Sequence, residues 1–170
     1  MHKMWKTFSR SVTAFNTLTG YLSGVLIVIC SGILVFEVVV RSWLNWPTDW
    51  EIEMAIMLLI TATFMSAAFT QLTRGHVGIE VLDSLLSARA NRWRNLLGDI
   101  LSMAFCAFIA WHAWHFFYEA WTDGKMSNTA WGPKLWPPYF CMALGMSMLA
   151  LQMLVQLVDE YLQIRPEDAV

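Results

Sequence analysis

The sequence predicts an all-α integral membrane protein: four transmembrane helices and, on the cytoplasmic side, an interfacial amphipathic helix. Three observations carry this. Four apolar stretches reach bilayer-crossing length. Apolar residues make up 57% of the chain and charged residues only 14%, a balance too apolar for a water-solvated surface. Basic and tryptophan residues collect between the stretches in a pattern that sets sidedness. The chain reads as one membrane domain over residues 1–170, with no separate soluble domain.

Crossing ~30 Å of hydrocarbon at ~1.5 Å per residue takes about 20 apolar residues. The first expected span covers approximately 18–40 and holds one formal charge, Glu37. Lys3, Lys6 and Arg10 precede it, but no small-x-small cleavage site follows, so it reads as a retained helix and not a removed signal peptide. The second span, 54–72, is uncharged; so is the third, 100–118, which contains His112 and His115; the fourth, 135–158, is uncharged throughout. Backbone groups in lipid must be satisfied within their own segment, so these are helices and not strands. Pro137 and Pro138 fall near the start of the fourth span, where a missing donor costs least.

Between the second and third spans, Ile79, Leu82, Leu85, Leu86, Trp93 and Leu96 recur near helical spacing among Glu80, Asp83, Arg89, Arg92 and Arg94. This predicts an interfacial helix over approximately 79–96. Its apolar face would lie along the membrane and its arginines would meet anionic headgroups, with a protein partner as the second reading.

Orientation follows from the basic residues, which stay preferentially in the cytoplasm during insertion. Lys3, Lys6, Arg10, Arg74, Arg89, Arg92, Arg94 and Arg165, eight of the eleven, fall on one side; Arg41, Lys125 and Lys134 fall on the other. Both termini are therefore expected in the cytoplasm. Trp43, Trp46, Trp50, Trp111, Trp114, Trp121, Trp131 and Trp136 gather in or near the outer loops. Interfacial anchoring explains that belt, and contact with an external partner is the alternative. A net charge of −2 gives no basic face for nucleic acid. Cys30, Cys106 and Cys141 sit inside apolar runs, where thiols act as small hydrophobes.

Ionisable groups inside a span are functional candidates. Glu37 precedes Arg41 by four residues, the favourable order for a same-face ion pair; the alternative is a proton relay, as in a small proton-coupled exporter. His112 and His115 share a helix face. They could ligate haem, or mark a haem- or quinone-associated anchor of a redox complex, yet two histidines one turn apart cannot take opposite axial positions of one haem. Hydrogen bonding within a bundle is the other reading. Gly20 with Gly24, Ala62 with Ser66, Thr63 with Ala67 and Ala143 with Ser147 offer small-xxx-small faces for helix association. The sequence holds no phosphate-cradling glycine loop, paired-cysteine site, nucleophile elbow or HExxH motif, so neither an enzyme nor a bound cofactor is expected. Four spans also lack the paired, interrupted helices of a complete transporter, which points to an accessory subunit.

Arg41 ending the first span, TDWEIE from Thr48 to Glu53 with Trp50 at its centre, and RGHVGIEVLDSLL from Arg74 to Leu86 resemble the small integral-membrane subunit of tripartite ATP-independent periplasmic (TRAP) transporters, the DctQ-like proteins. Many relatives have Asp where this chain has Glu80. The resemblance implies sodium-driven uptake of an organic acid or related small solute across a bacterial inner membrane. A periplasmic solute-binding protein would capture solute, and a large multispan membrane subunit would hold the substrate and Na+ sites. This chain, set among membrane lipids, would brace the large subunit and bind no solute. Arg41 and Glu53 are expected to fix the outer ends of the first two helices, and Arg74, His76 and Glu80 either contact the large subunit or simply begin a helix.

Overall fold

The computed structural model describes residues 2–46, 49–73 and 88–164. Among these the regular elements are four helices: α1 (His2–Leu44), α2 (Glu51–Leu72), α3 (Ala88–Thr122) and α4 (Trp136–Ile164). Each contains a segment long and apolar enough to cross a membrane. α1 and α3 exceed what a crossing needs. At ~1.5 Å per residue, the 43 residues of α1 extend about 65 Å and the 35 of α3 about 52 Å, so both continue well past a ~30 Å hydrocarbon layer.

The boundaries have local causes. α1 stops at Leu44 because Asn45 takes a left-handed φ of 48°, a conformation asparagine tolerates better than most residues and one that terminates helices. α2 opens with Glu51 and Glu53 in its first turn, where the helix dipole favours negative charge. Pro137 and Pro138 sit in the first turn of α4, as their missing donors predict. The separate interfacial helix expected over 79–96 is not seen. Residues 74–87 lie outside the described residues, and from Ala88 one helix runs unbroken into the third span. That stretch has no proline, and Gly98 alone costs a helix only ~1 kcal/mol, too little to end it.

The helices form an open row in the order α1, α2, α4, α3, with only a minor contact between α1 and α4. α1 and α3 run one way, α2 and α4 the other, so the row has a termini end and a loop end. On α1 the buried residues Val12, Asn16, Thr19, Ser23, Cys30, Glu37 and Val40 recur on one stripe, while Val25, Val28, Val35 and Val38 are exposed. The other helices bury mostly small residues: Ala55, Ala62 and Ala68 on α2, Ala110, Ala113 and Ala120 on α3, Ala143 on α4. Large side chains point outward. This inverts a water-soluble bundle, because lipid solvates leucine as well as a protein interior does and association must come from close approach and hydrogen bonds.

The closest approach is between α2 and α4. A Cβ on Gly145 would lie 2.3 Å from the Phe64 carbonyl oxygen, so only glycine lets the two backbones meet there. At the α1–α2 contact a Cβ on Gly20 would lie 2.4 Å from Cγ of Phe69, whereas Gly24 faces open space, so Gly20 alone of the expected glycine pair is needed for packing. Gly145→Val should destabilise the fold by about 1–3 kcal/mol, the usual cost of overpacking, while Gly24→Ala should leave it unchanged or slightly more stable. Unfolding titrations in mixed micelles measure both, and equal stability of the two variants would contradict the close approach.

Candidate functional site

At the loop end, Glu37 lies on the buried stripe of α1 and accepts a hydrogen bond from Arg41 Nη1 at 3.0 Å. The carboxylate side chain is 11% exposed and the guanidinium side chain 72% exposed, so Arg41 covers an acid that would otherwise meet lipid while keeping its own head outward. Trp50 precedes α2, and its carbonyl accepts from the Met54 N–H at 3.0 Å. Glu53, in the first turn of α2, reaches a different element. Its Oε1 accepts from the Ser127 hydroxyl at 2.7 Å and from the Thr129 hydroxyl. Arg41 and Glu53 are thus engaged separately. Arg41 closes an in-helix pair, and Glu53 ties the start of α2 to the connection between α3 and α4.

That connection is built to receive the carboxylate. Ser127 N–H donates to the Pro133 carbonyl at 2.9 Å and Leu135 N–H to the Lys125 carbonyl at 3.0 Å, closing a narrow loop around the Met126–Lys134 bridge. Gly124 (φ 62°) and Gly132 (φ 56°) supply the left-handed turns it needs. Lys125 Nζ donates to Glu119 Oε1 at 2.5 Å, and this hydrogen bond holds the ammonium above its usual range. On the α3–α4 side, Trp121 and Trp136 pack edge to face at 5.0 Å, and Trp114 Nε1 donates to the Ser147 hydroxyl at 3.0 Å.

At the termini end the ties are carboxamides. Asn16 Nδ2 donates to Gln152 Oε1 at 2.8 Å, joining α1 to α4 with both residues fully buried. Gln71 Nε2 donates to Gln156 Oε1 at 2.9 Å while Gln156 Nε2 donates to the Gln71 carbonyl at 3.0 Å, joining α2 to α4. Sequence reasoning passed over these residues because they carry no charge. The available signal was Gln152 and Gln156, one turn apart on a single face of an otherwise apolar span. Glu51 was also missed. Its side chain is wholly buried, and among the described residues neither carboxylate oxygen has a hydrogen-bond partner.

His112 and His115 are exposed on the side of α3 away from α4, with the Phe108 ring edge-on to His112 at 4.5 Å. Among the described residues no three metal-binding side chains cluster. Arg74, His76 and Glu80 lie outside the described residues.

Four spanning helices whose polar side chains tie helix to helix and helix to loop define a multi-pass α-helical membrane protein. The chain belongs to the DctQ family: the model of tripartite ATP-independent periplasmic transporters, DctQ component, matches residues 30–162, from mid-α1 to the end of α4. This is a transporter component and not an enzyme family, and it implies association with a large membrane subunit and a periplasmic binding protein. No curated protein matches the chain.

Two measurements test the ties. In an Asn16→Leu, Gln152→Leu double-mutant cycle, the pair should show a coupling of about 0.5–2 kcal/mol, the range for interhelical hydrogen bonds in membranes; zero coupling would remove it as a tie. Glu53→Ala should release the loop. A charge-assisted hydrogen bond contributes about 1.5–3 kcal/mol, so tryptic cleavage after Lys125 or Lys134 should rise about tenfold or more, and unchanged cleavage would refute the tether.

Proposed function

We propose that this chain is the small scaffold subunit of a secondary, sodium-coupled TRAP transporter that imports an organic acid or related small solute. It works with a large membrane subunit, which holds the substrate and Na+ sites, and with a periplasmic solute-binding protein. The observation that carries the reading is the use made of polar groups along the row. Asn16, Gln71, Gln152 and Gln156 at one end and Glu53 at the other all engage groups on a different element, as a rigid support requires. The large subunit moves its transport domain against a fixed frame, and the four tied helices enlarge that frame within the bilayer. The long α1 and α3, continuing past the hydrocarbon, resist its tilting.

In this arrangement the protein lies in the bacterial inner membrane with both termini in the cytoplasm. In the sequence, eight of the eleven basic residues precede the first span, follow the fourth or lie between the second and third, and this supports that orientation. Co-expression with the large subunit should yield a stable complex on purification through this chain. Proteoliposomes with that complex and the binding protein should take up solute along an inward sodium gradient, and proteoliposomes with this chain alone should not. Uptake by the chain alone, or haem absorption in the purified protein, would overturn the proposal in favour of an exporter or a redox anchor.

A further inference from the structure

One buried acid takes no part in the ties between helices. Glu51 opens α2, its side chain is wholly buried, and among the described residues neither Oε1 nor Oε2 accepts a hydrogen bond. Burying a carboxylate is costly unless donors or a cation offset it.

Contacts along α2 show which way Glu51 faces. Ala55 and Phe69 share its stripe of the helix, and both meet α1: the Ala55 carbonyl accepts from Cys30 Sγ at 3.4 Å, and Phe69 packs on Gly20. Glu53, Phe64 and Gln71 mark the other stripe, which meets α4 and the connection leading into it. Glu51 therefore points at α1. On α1, Glu37 lies two turns beyond Cys30 on the buried stripe. Glu37 is 17 residues from Gly20 along α1 and Glu51 is 18 residues from Phe69 along α2, about 26 and 27 Å at ~1.5 Å per residue. Measured instead from Cys30 and Ala55 the separations are 7 and 4 residues, about 10 and 6 Å. Both contacts set the two acids within one helical turn of the same level. At the loop end, two buried carboxylates stand opposite each other where α1 meets α2.

Arg41 answers one of them. Its Nη1 binds Glu37 Oε1, its guanidinium is turned outward, and among the described residues Glu51 forms no ion pair. Two carboxylates and one guanidinium leave the group with a formal charge of −1. The helix dipoles do not change that balance, because the positive end of α2 and the negative end of α1 meet here and offset each other. One monovalent cation neutralises the group, whereas a divalent ion would leave it positive. Both Glu51 oxygens, and the Glu37 Oε2 that Arg41 leaves free, are the hard oxygen donors such a cation takes.

We propose that Glu51, with Glu37 across the helix contact, binds one sodium or potassium ion between α1 and α2 at the loop end. The ion is a structural one. It joins the outer ends of two helices that no side-chain hydrogen bond among the described residues joins there, since Glu53 ties α2 to the α3–α4 connection instead. The site belongs to this chain alone and does not rest on the scaffold reading.

Equilibrium binding of radiolabelled sodium, and of rubidium in place of potassium, to the full chain in mixed micelles tests this, with N-methylglucamine chloride holding ionic strength constant. One of the two ions should bind saturably, one per chain, and raise the unfolding midpoint as it binds. Glu51→Gln should weaken that binding at least about tenfold, and Glu37→Gln should weaken it as well. Glu119→Gln, which alters an exposed carboxylate, should bind as the unaltered chain does. The site is overturned if the unaltered chain binds neither ion saturably, as when a proton neutralises Glu51, or if it prefers calcium to both. Binding that Glu51→Gln leaves intact, or that Glu119→Gln abolishes equally, overturns it too. Should Glu51→Gln fail to fold, folded Glu37→Gln decides, and unchanged binding there refutes the site.

Discussion

Lipid gives transmembrane helices no hydrophobic reason to meet, and the rest of the structure depends on that constraint. Two helices in hydrocarbon associate when their backbones approach closely enough for dispersion to act, or when polar groups find one another. The close approach is clearest where Gly145 lets α4 reach the Phe64 backbone. The alanines at 62, 110, 113, 120 and 143 extend the same logic along the row. Larger side chains at these positions would hold the helices apart and gain nothing, since the lipid already solvates them.

Polar pairing supplies the specificity that close packing lacks. Small-residue faces can slide past one another, but the Asn16–Gln152 bond and the reciprocal Gln71–Gln156 pair match only in one register. α4 takes part in both pairs and contacts each of the other helices, so it is the hub of the row. At the opposite end the hub is extended by a loop: Ser127 and Thr129 lie on the connection that enters α4, and they hold Glu53 of α2. Helices α1 and α2 are bound to α4 near the termini, and α2 is bound again at the loops. Such double-ended bracing is what the proposed scaffold role calls for.

Much of this was readable before the fold. Length and apolarity located all four spans, Pro137 and Pro138 marked the start of the last, and the i, i+4 spacing of Glu37 and Arg41 foretold an in-helix pair. The signal was silent where a property depended on what lay outside the local window. Helices continue past the apolar runs because polar residues propagate a helix once it has formed, and so Ala88–Leu96, the described part of the expected interfacial helix, runs on into the third span. Glu53 was expected to help fix the outer end of α2, but nothing in its local sequence names what it holds. Its hydroxyl partners lie more than seventy residues away.

By itself the sequence determined that the protein is a membrane-spanning set of four helices and which family motifs it carries, because hydropathy and helix period are properties of consecutive residues. Tertiary structure alone decided the order of the row and the pairing of its buried carboxamides. It also decided which side chains remain uncovered, Tyr21, Val28 and Val35 on α1 and Phe108, His112 and His115 on α3 among them. Those outcomes depend on which small-residue face meets which, and in lipid that is settled by atomic fit and hydrogen-bond geometry between distant segments, to which hydrophobic patterning is blind.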